Sequence, residues 1–418
     1  MAAVSVFLEA IKLNYDGASA TSDALNLRRN KTTMVNVPEW VRGVSVNPED
    51  APAAYAIAET KGNTLTIQAR FSTTKQKLKK EGVEIRAVDP TADPPGGPGC
   101  SGGCLGILKW LGWLIRLLVG NVLGDVKARH VSFDAAGWSA FETFELEHVR
   151  LWDVGVGVHT TTWRWQYRED KKNSPWIDFA TSEHRVYVLL EVPKAPWQQT
   201  PYNATNTQLP WTEVLDRACM WAFGATSRDA AAARVTRSVY ELGPSVVQYD
   251  CPGNGYSNYS DGVFSCAAFL QRLAGGFGLG IYVNCSDCAT IVSTFANAVG
   301  CDLWQSRMGP LTGWDFDLNE LLAIGSNVWM TACGWGSFSY HEVAWKGGCT
   351  ANDPVWDGCL QVDGDANPAS APHTPLLPVN LRFGTPGSME YLDRLVAPAS
   401  RPNCQPKPAT TRTRRMVA

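Results

Sequence analysis

The chain has 418 residues, 45% of them hydrophobic and 18% charged, with a formal net charge of −3. This balance excludes a disordered chain and a general electrostatic attraction to nucleic acid. The length predicts two or three domains, each able to bury its own core.

The first residues, Met1 to Glu9, lack the basic start and continuous apolar run of a secretion signal, so a cytoplasmic location is expected, with signal-independent export left open. Of the 12 cysteines, most are expected to be reduced; several sit in apolar settings, as Cys219 does beside Met220 and Trp221.

Residues 1–205 read as β-rich. Thr64–Phe71, Phe141–Glu147, Thr160–Tyr167 and Arg185–Val192 alternate or run apolar over strand lengths. An antiparallel all-β sandwich of one or two modules is the simplest container for them, with substrate presentation or partner binding as its task. Residues 93–124 stand apart. A Gly/Pro linker, Asp93–Cys104, leads into the apolar stretch Leu105–Gly120, which carries Lys109 and Arg116. That stretch is marginal for a membrane-spanning helix, which needs about 20 residues. It reads as a helix packed on the sandwich or over a cleft, with membrane or partner contact through residues 105–120 as the alternative.

Helices open the second half. Trp211, Val214, Leu215, Ala218 and Ala222 share one helix face. A second helix runs from Asp229 to Leu242, with Ser227 as its cap and Gly243 as its stop. A shorter one, Phe264–Leu273, follows. Ala289, Val292, Ala296 and Val299 then recur at helical spacing before Gly300, which places Cys285 at or just before a helix N-terminus. There the unpaired N–H groups and the positive end of the helix dipole favour a thiolate, the nucleophilic form of cysteine.

His341 lies in the strand-like stretch Phe338–Trp345, and Asp357 and Asp363 lie in a second one, Asp353–Asp363. If the two strands pair, a carboxylate on the second orients the imidazole on the first and stabilises its protonated form opposite the thiolate. Asp357 is preferred, with Asp363 as the alternative. Trp304, Trp314, Trp329, Trp335 and Tyr340 cluster nearby in sequence, as cleft walls or as core. Cys285 and Cys288 also form a Cys-x-x-Cys, which admits a redox pair or half a zinc site completed by scattered partners such as Cys301, Cys333 or Cys349. No P-loop, dinucleotide fingerprint or metal-binding histidine cluster is present, so no cofactor is implied.

The pattern Cys285-x-Asp287-x-Ala289, the close at Gly300-Cys-Asp-Leu303, His341 opening a strand and Asp357 on the next resemble the transglutaminase-like superfamily of the papain-like fold, over roughly residues 210–370. The resemblance implies an α+β papain-like/transglutaminase-like domain, assigned to 206–395, after the N-terminal all-β region. It also implies a Cys285, His341, Asp357 triad acting on amides of a protein or peptide substrate. A thioester would pass to an amine or to water, giving cross-linking, deamidation or proteolysis. Backbone N–H groups at the helix start would stabilise the oxyanion. An inactive scaffold and a membrane-active effector using residues 105–120 are the competing readings. Residues 396–418, with the basic run Lys407–Arg415, are expected to form a flexible tail.

Overall fold

The computed structural model describes residues 5–13, 24–44, 47–56, 65–90, 121–169, 174–197, 208–251, 257–330, 334 and 336–418. It is multidomain and strand-rich, with two units. The first comprises Met1–Arg29, Thr33–Leu189 and Thr200–Thr205; the second comprises Asn30–Thr32, Leu190–Gln199 and Asn206–Ala418. The linker and apolar stretch expected at 93–120 lie outside the described residues. Among the described residues, no helix is long and apolar enough to cross a membrane.

Strict alternation builds the first unit. In Thr66–Thr73 the buried positions are Ile67, Ala69, Phe71 and Thr73, with half-buried residues between them. The strands are β1 (Val6–Lys12), β2 (Ala24–Leu25), β3 (Trp40–Val41), β4 (Ala53–Ala56), β5 (Thr66–Thr73), β6 (Val83–Val88), β7 (Asp125–Val131), β8 (Glu142–Glu147), β9 (Gly157–Arg168) and β10 (Ile177–Leu189). They form one ten-stranded sheet in the order β2-β4-β10-β9-β6-β7-β8-β5-β1-β3. All pairings are antiparallel except β4 with β10. The sheet curls so that its two halves enclose one core. The short β7–β8 pairing, Asp125 with Glu147 and Val126 with Leu146, joins its halves. Across the interior, Phe71 of β5 and Phe144 of β8 meet Trp165 of β9 edge-on, with centroids 5.6 and 6.1 Å apart. The Trp165 indole is satisfied by the Ser182 hydroxyl at 2.9 Å.

The second unit is organised around the helix Cys285–Ala298, every residue of which is buried. It lies against the strand His341–Trp345 and against the helices Thr212–Trp221 and Arg228–Tyr240. Ser227 caps the latter through Ala230 N–H at 3.3 Å, although the helix ends at Tyr240, ahead of Gly243. The sheet is antiparallel, in the order Val379–Arg382, Pro354–Trp356, His341–Trp345, Trp304–Pro310, Cys404–Pro406.

Two sequence expectations change here. The stretch Asp353–Asp363 is two strands, Pro354–Trp356 and Leu360–Asp363, because the Asp357 carboxylate accepts the N–H of Cys359 at 2.8 Å and of Leu360 at 3.2 Å and so turns the chain. The residues read as a flexible basic tail are instead fixed in this unit. Cys404–Pro406 adds an edge strand, Thr413 pairs with Gln305, and Ala418 N–H bonds Phe264 at 2.8 Å. The guanidinium groups of Arg412 and Arg414 lie over the Trp304 ring, 3.5 and 3.8 Å from its centroid, so the basic run is stacked on the unit, not solvated.

Candidate active site

Cys285 is the first residue of its helix and is buried. Asn284 caps it by accepting the Asp287 N–H at 3.0 Å, while Asp287 reaches back to the Asn284 N–H at 3.2 Å, a reciprocal capping box. Asp287 also accepts the N–H groups of Asn258 and Tyr259 and the Ser260 hydroxyl, at 3.0, 2.9 and 2.8 Å. This fixes the preceding segment to the helix start and explains the motif's acidic third position. Burial raises the pKa of this carboxyl, and its backbone and Ser260 donors oppose that rise. The N–H groups of Cys285 and Ser286 donate to no acceptor among the described residues, as expected for the first turn of a helix.

His341 opens the adjacent strand and is fully buried. Its Nε2 lies 3.0 Å from Asp357 Oδ2, which also accepts the Tyr391 hydroxyl at 2.7 Å. Phe338 stacks on the imidazole, 5.6 Å between centroids at an interplanar angle of 13°. Burial works against the charged ring, but the Asp357 carboxylate, with a smaller contribution from Cys285, raises its pKa to about 10. Nδ1 makes no hydrogen bond within normal geometry, and the Cys285 thiol acts on the ring as a near neighbour. One ring nitrogen is thus held by a carboxylate, while the other makes no hydrogen bond among the described residues.

The structure thereby brings Cys285, His341 and Asp357 into one site and takes the alternative carboxylate elsewhere. Asp363 bonds His373 Nδ1 at 2.7 Å, and His373 Nε2 bonds Glu320 at 2.6 Å. Cys288 faces Cys359. A hydrogen bond with Cys359 works to lower the Cys288 pKa, but burial and the neighbouring carboxylates outweigh it, while burial and Cys288 push Cys359 well up. Cys301 instead donates to the Arg228 carbonyl at 3.4 Å. Among the described residues, no group of three or more metal-binding side chains occurs. Eight described cysteines are free, in line with the reduced state expected of most, and Cys251 is disulfide-bonded. Of the aromatic cluster, Trp314 is 90% exposed and Trp329 stacks on His373, while Tyr340 adjoins the site and Trp335 lies outside the described residues.

Beneath the thiol lies a charge network that the motif does not announce. Ser286 donates to Glu342 Oε2 at 2.8 Å, and the same carboxylate meets Arg307 Nε at 3.0 Å and Arg415 Nη2 at 3.1 Å. Burial alone would raise the Glu342 pKa; Arg415, Ser286 and Arg307 together hold it below its ordinary value. Glu342 follows His341 directly, so its pleat side was readable in sequence. Tyr391 and Arg415, far along the chain, carried no such signal.

No family model and no curated protein matches this chain. Among solved structures, it is similar to a red sea bream transglutaminase, with a TM-score of 0.32 and 11% identity over 76% of this chain. This chain spans 50% of the length of that one.

Proposed function

We propose that the second unit is a cysteine-dependent acyl transferase or hydrolase of transglutaminase-like type, acting on protein or peptide amides. The observation that carries this reading is a cysteine at the first position of a buried helix, beside an imidazole whose far nitrogen is tied to a carboxylate at 3.0 Å. In this reading the thiol proton already resides on His341, giving a thiolate–imidazolium pair, and Asp357 stabilises the imidazolium. The Cys285 sulfur attacks the amide carbonyl, and the N–H groups of Cys285 and Ser286, which donate to no acceptor among the described residues, stabilise the oxyanion. His341 then returns its proton to the departing amine, leaving a thioester. An amine or a water completes the reaction, giving cross-linking in the first case and deamidation or cleavage in the second.

The test is incorporation of a fluorescent primary amine into a glutamine-rich protein, alongside ammonia release and peptide cleavage. Activity in one of these assays, abolished by Cys285→Ala and reduced by roughly 10²-fold or more in His341→Ala, is expected. Full activity in Cys285→Ala refutes the mechanism.

A further inference from the structure

The network under the thiol contains one carboxylate and two guanidinium groups. Arg415 is nearly buried, 10% exposed, and bonds Thr290 and Gln305 as well as Glu342. Arg307 differs. It stands opposite Glu342 in the strand pairing, one step from Met308 opposite His341. Its side chain is 36% exposed, and its guanidinium lies over the Tyr340 ring, 3.9 Å from the centroid. Only Nε is engaged, by Glu342 at 3.0 Å; Nη1 and Nη2 have no acceptor among the described residues. Glu342 is already held by Arg415 and Ser286, so a purely structural counterion here would not need this second, partly open guanidinium. A planar fork stacked on an aromatic face has its orientation fixed, and its two terminal groups match the spacing of a carboxylate. Its distance from the chemistry is short in bonding terms: Arg307 to Glu342, Glu342 to Ser286, and Ser286 is the residue after Cys285. The negative charge of a Cys285 thiolate also acts on this guanidinium.

We propose that Arg307 is a carboxylate-binding residue of the site, selecting acyl donors that carry an acidic group close to the amide attacked by Cys285. The substrate assignment rests on the acyl-transfer reading above; the anion site itself does not.

Two alkylating reagents test this on the full chain without knowledge of the substrate. Iodoacetate carries a carboxylate, and iodoacetamide is its neutral counterpart. The rate of each at Cys285 is measured by mass spectrometry, and the iodoacetate-to-iodoacetamide ratio is compared with that of N-acetylcysteine in the same buffer. The ratio at Cys285 is expected to exceed that of the simple thiol roughly tenfold, as a charge-assisted hydrogen bond of about 1.4 kcal/mol supplies. Arg307→Gln returns it to the simple-thiol value, and Arg307→Lys, which keeps the charge but loses the fork, gives an intermediate one. Equal ratios in the parent and Arg307→Gln overturn the proposal, and a full parental ratio in Arg307→Lys overturns the fork geometry. Iodoacetamide labelling of Cys285 no faster than that of N-acetylcysteine sinks the nucleophile reading instead, and the ratio still reports on Arg307.

Discussion

Replacing Asp357 by Asn keeps the shape of the side chain and removes the charge that holds His341. The protein contains its own control for the outcome. His184 is likewise buried and bonds the Ser182 hydroxyl at 2.9 Å, with no carboxylate partner among the described residues, and burial lowers its pKa to about 3. His341, under the same burial but beside Asp357, is raised to about 10. In Asp357→Asn the burial persists while the main opposing charge is gone, so the imidazole is expected to titrate below its ordinary value of about 6.5. At neutral pH the ring changes from protonated to neutral. Stability follows with a defined sign. In the parent, the raised pKa contributes stability that is fully present below about pH 6.5 and is lost as pH rises through about 10. In the variant the depressed pKa makes protonation at acid pH unfavourable to folding. The parent is therefore more stable than the variant by ~3–5 kcal/mol near pH 6, the cost of breaking a buried pair, and the gap narrows toward pH 10. Nitrogen-15 NMR of labelled histidine gives the titration directly; the chain has only 6 histidines, and His341→Gln assigns the resonance. Denaturant melts near pH 6 and pH 9.5 give the stability difference. An Asp357→Asn imidazole that still titrates above about pH 8, or a gap independent of pH, would refute the reasoning.

Two further substitutions probe the framework. Arg415→Ala leaves buried Glu342 with Arg307 and the Ser286 hydroxyl, and is expected to cost ~3 kcal/mol in a urea melt at neutral pH. Because the Glu342 pKa is depressed in the folded state, its stabilisation is present above the unfolded value and lost as pH falls, so the difference between Arg415→Ala and parent shrinks in acid. A loss that stays constant down to about pH 4 contradicts the network. Asp287→Ala removes the acceptor shared by the N–H groups of Asn258, Tyr259 and Asn284, and should cost ~3 kcal/mol. Hydrogen exchange at the Asn258 and Tyr259 amides should quicken at least tenfold, and unchanged protection there counts against the capping role.

The helix beginning at Cys285 was legible because its apolar positions recur at 3.6-residue spacing and Gly300, at a φ of +97°, stops it where a left-handed residue is needed. The strand starting at His341 was legible from its aromatic and β-branched residues. The break at Asp357 was not, since apolar alternation continues through Trp356, Leu360 and Val362; only the carboxylate's bonds to its own backbone reveal the turn. The curl of the first sheet was equally hidden, because alternation fixes which face of a strand is buried and leaves its neighbours undefined. The role of the basic run at 407–415 was concealed for a related reason: a run of Arg reads as solvated until its partners, Trp304 and Glu342, are brought beside it by strand pairing.

Arg415 lies 73 residues beyond the carboxylate it holds. At a synthesis rate of about 5–20 residues per second, that interval is roughly 4–15 s, during which Cys285, His341 and Glu342 have all been made but the second guanidinium has not. A nascent chain in this window has an acid lacking one of its two cationic partners, so burying it costs more than in the complete chain. The timing of translation thus separates the making of the thiol from the completion of the charge network beside it.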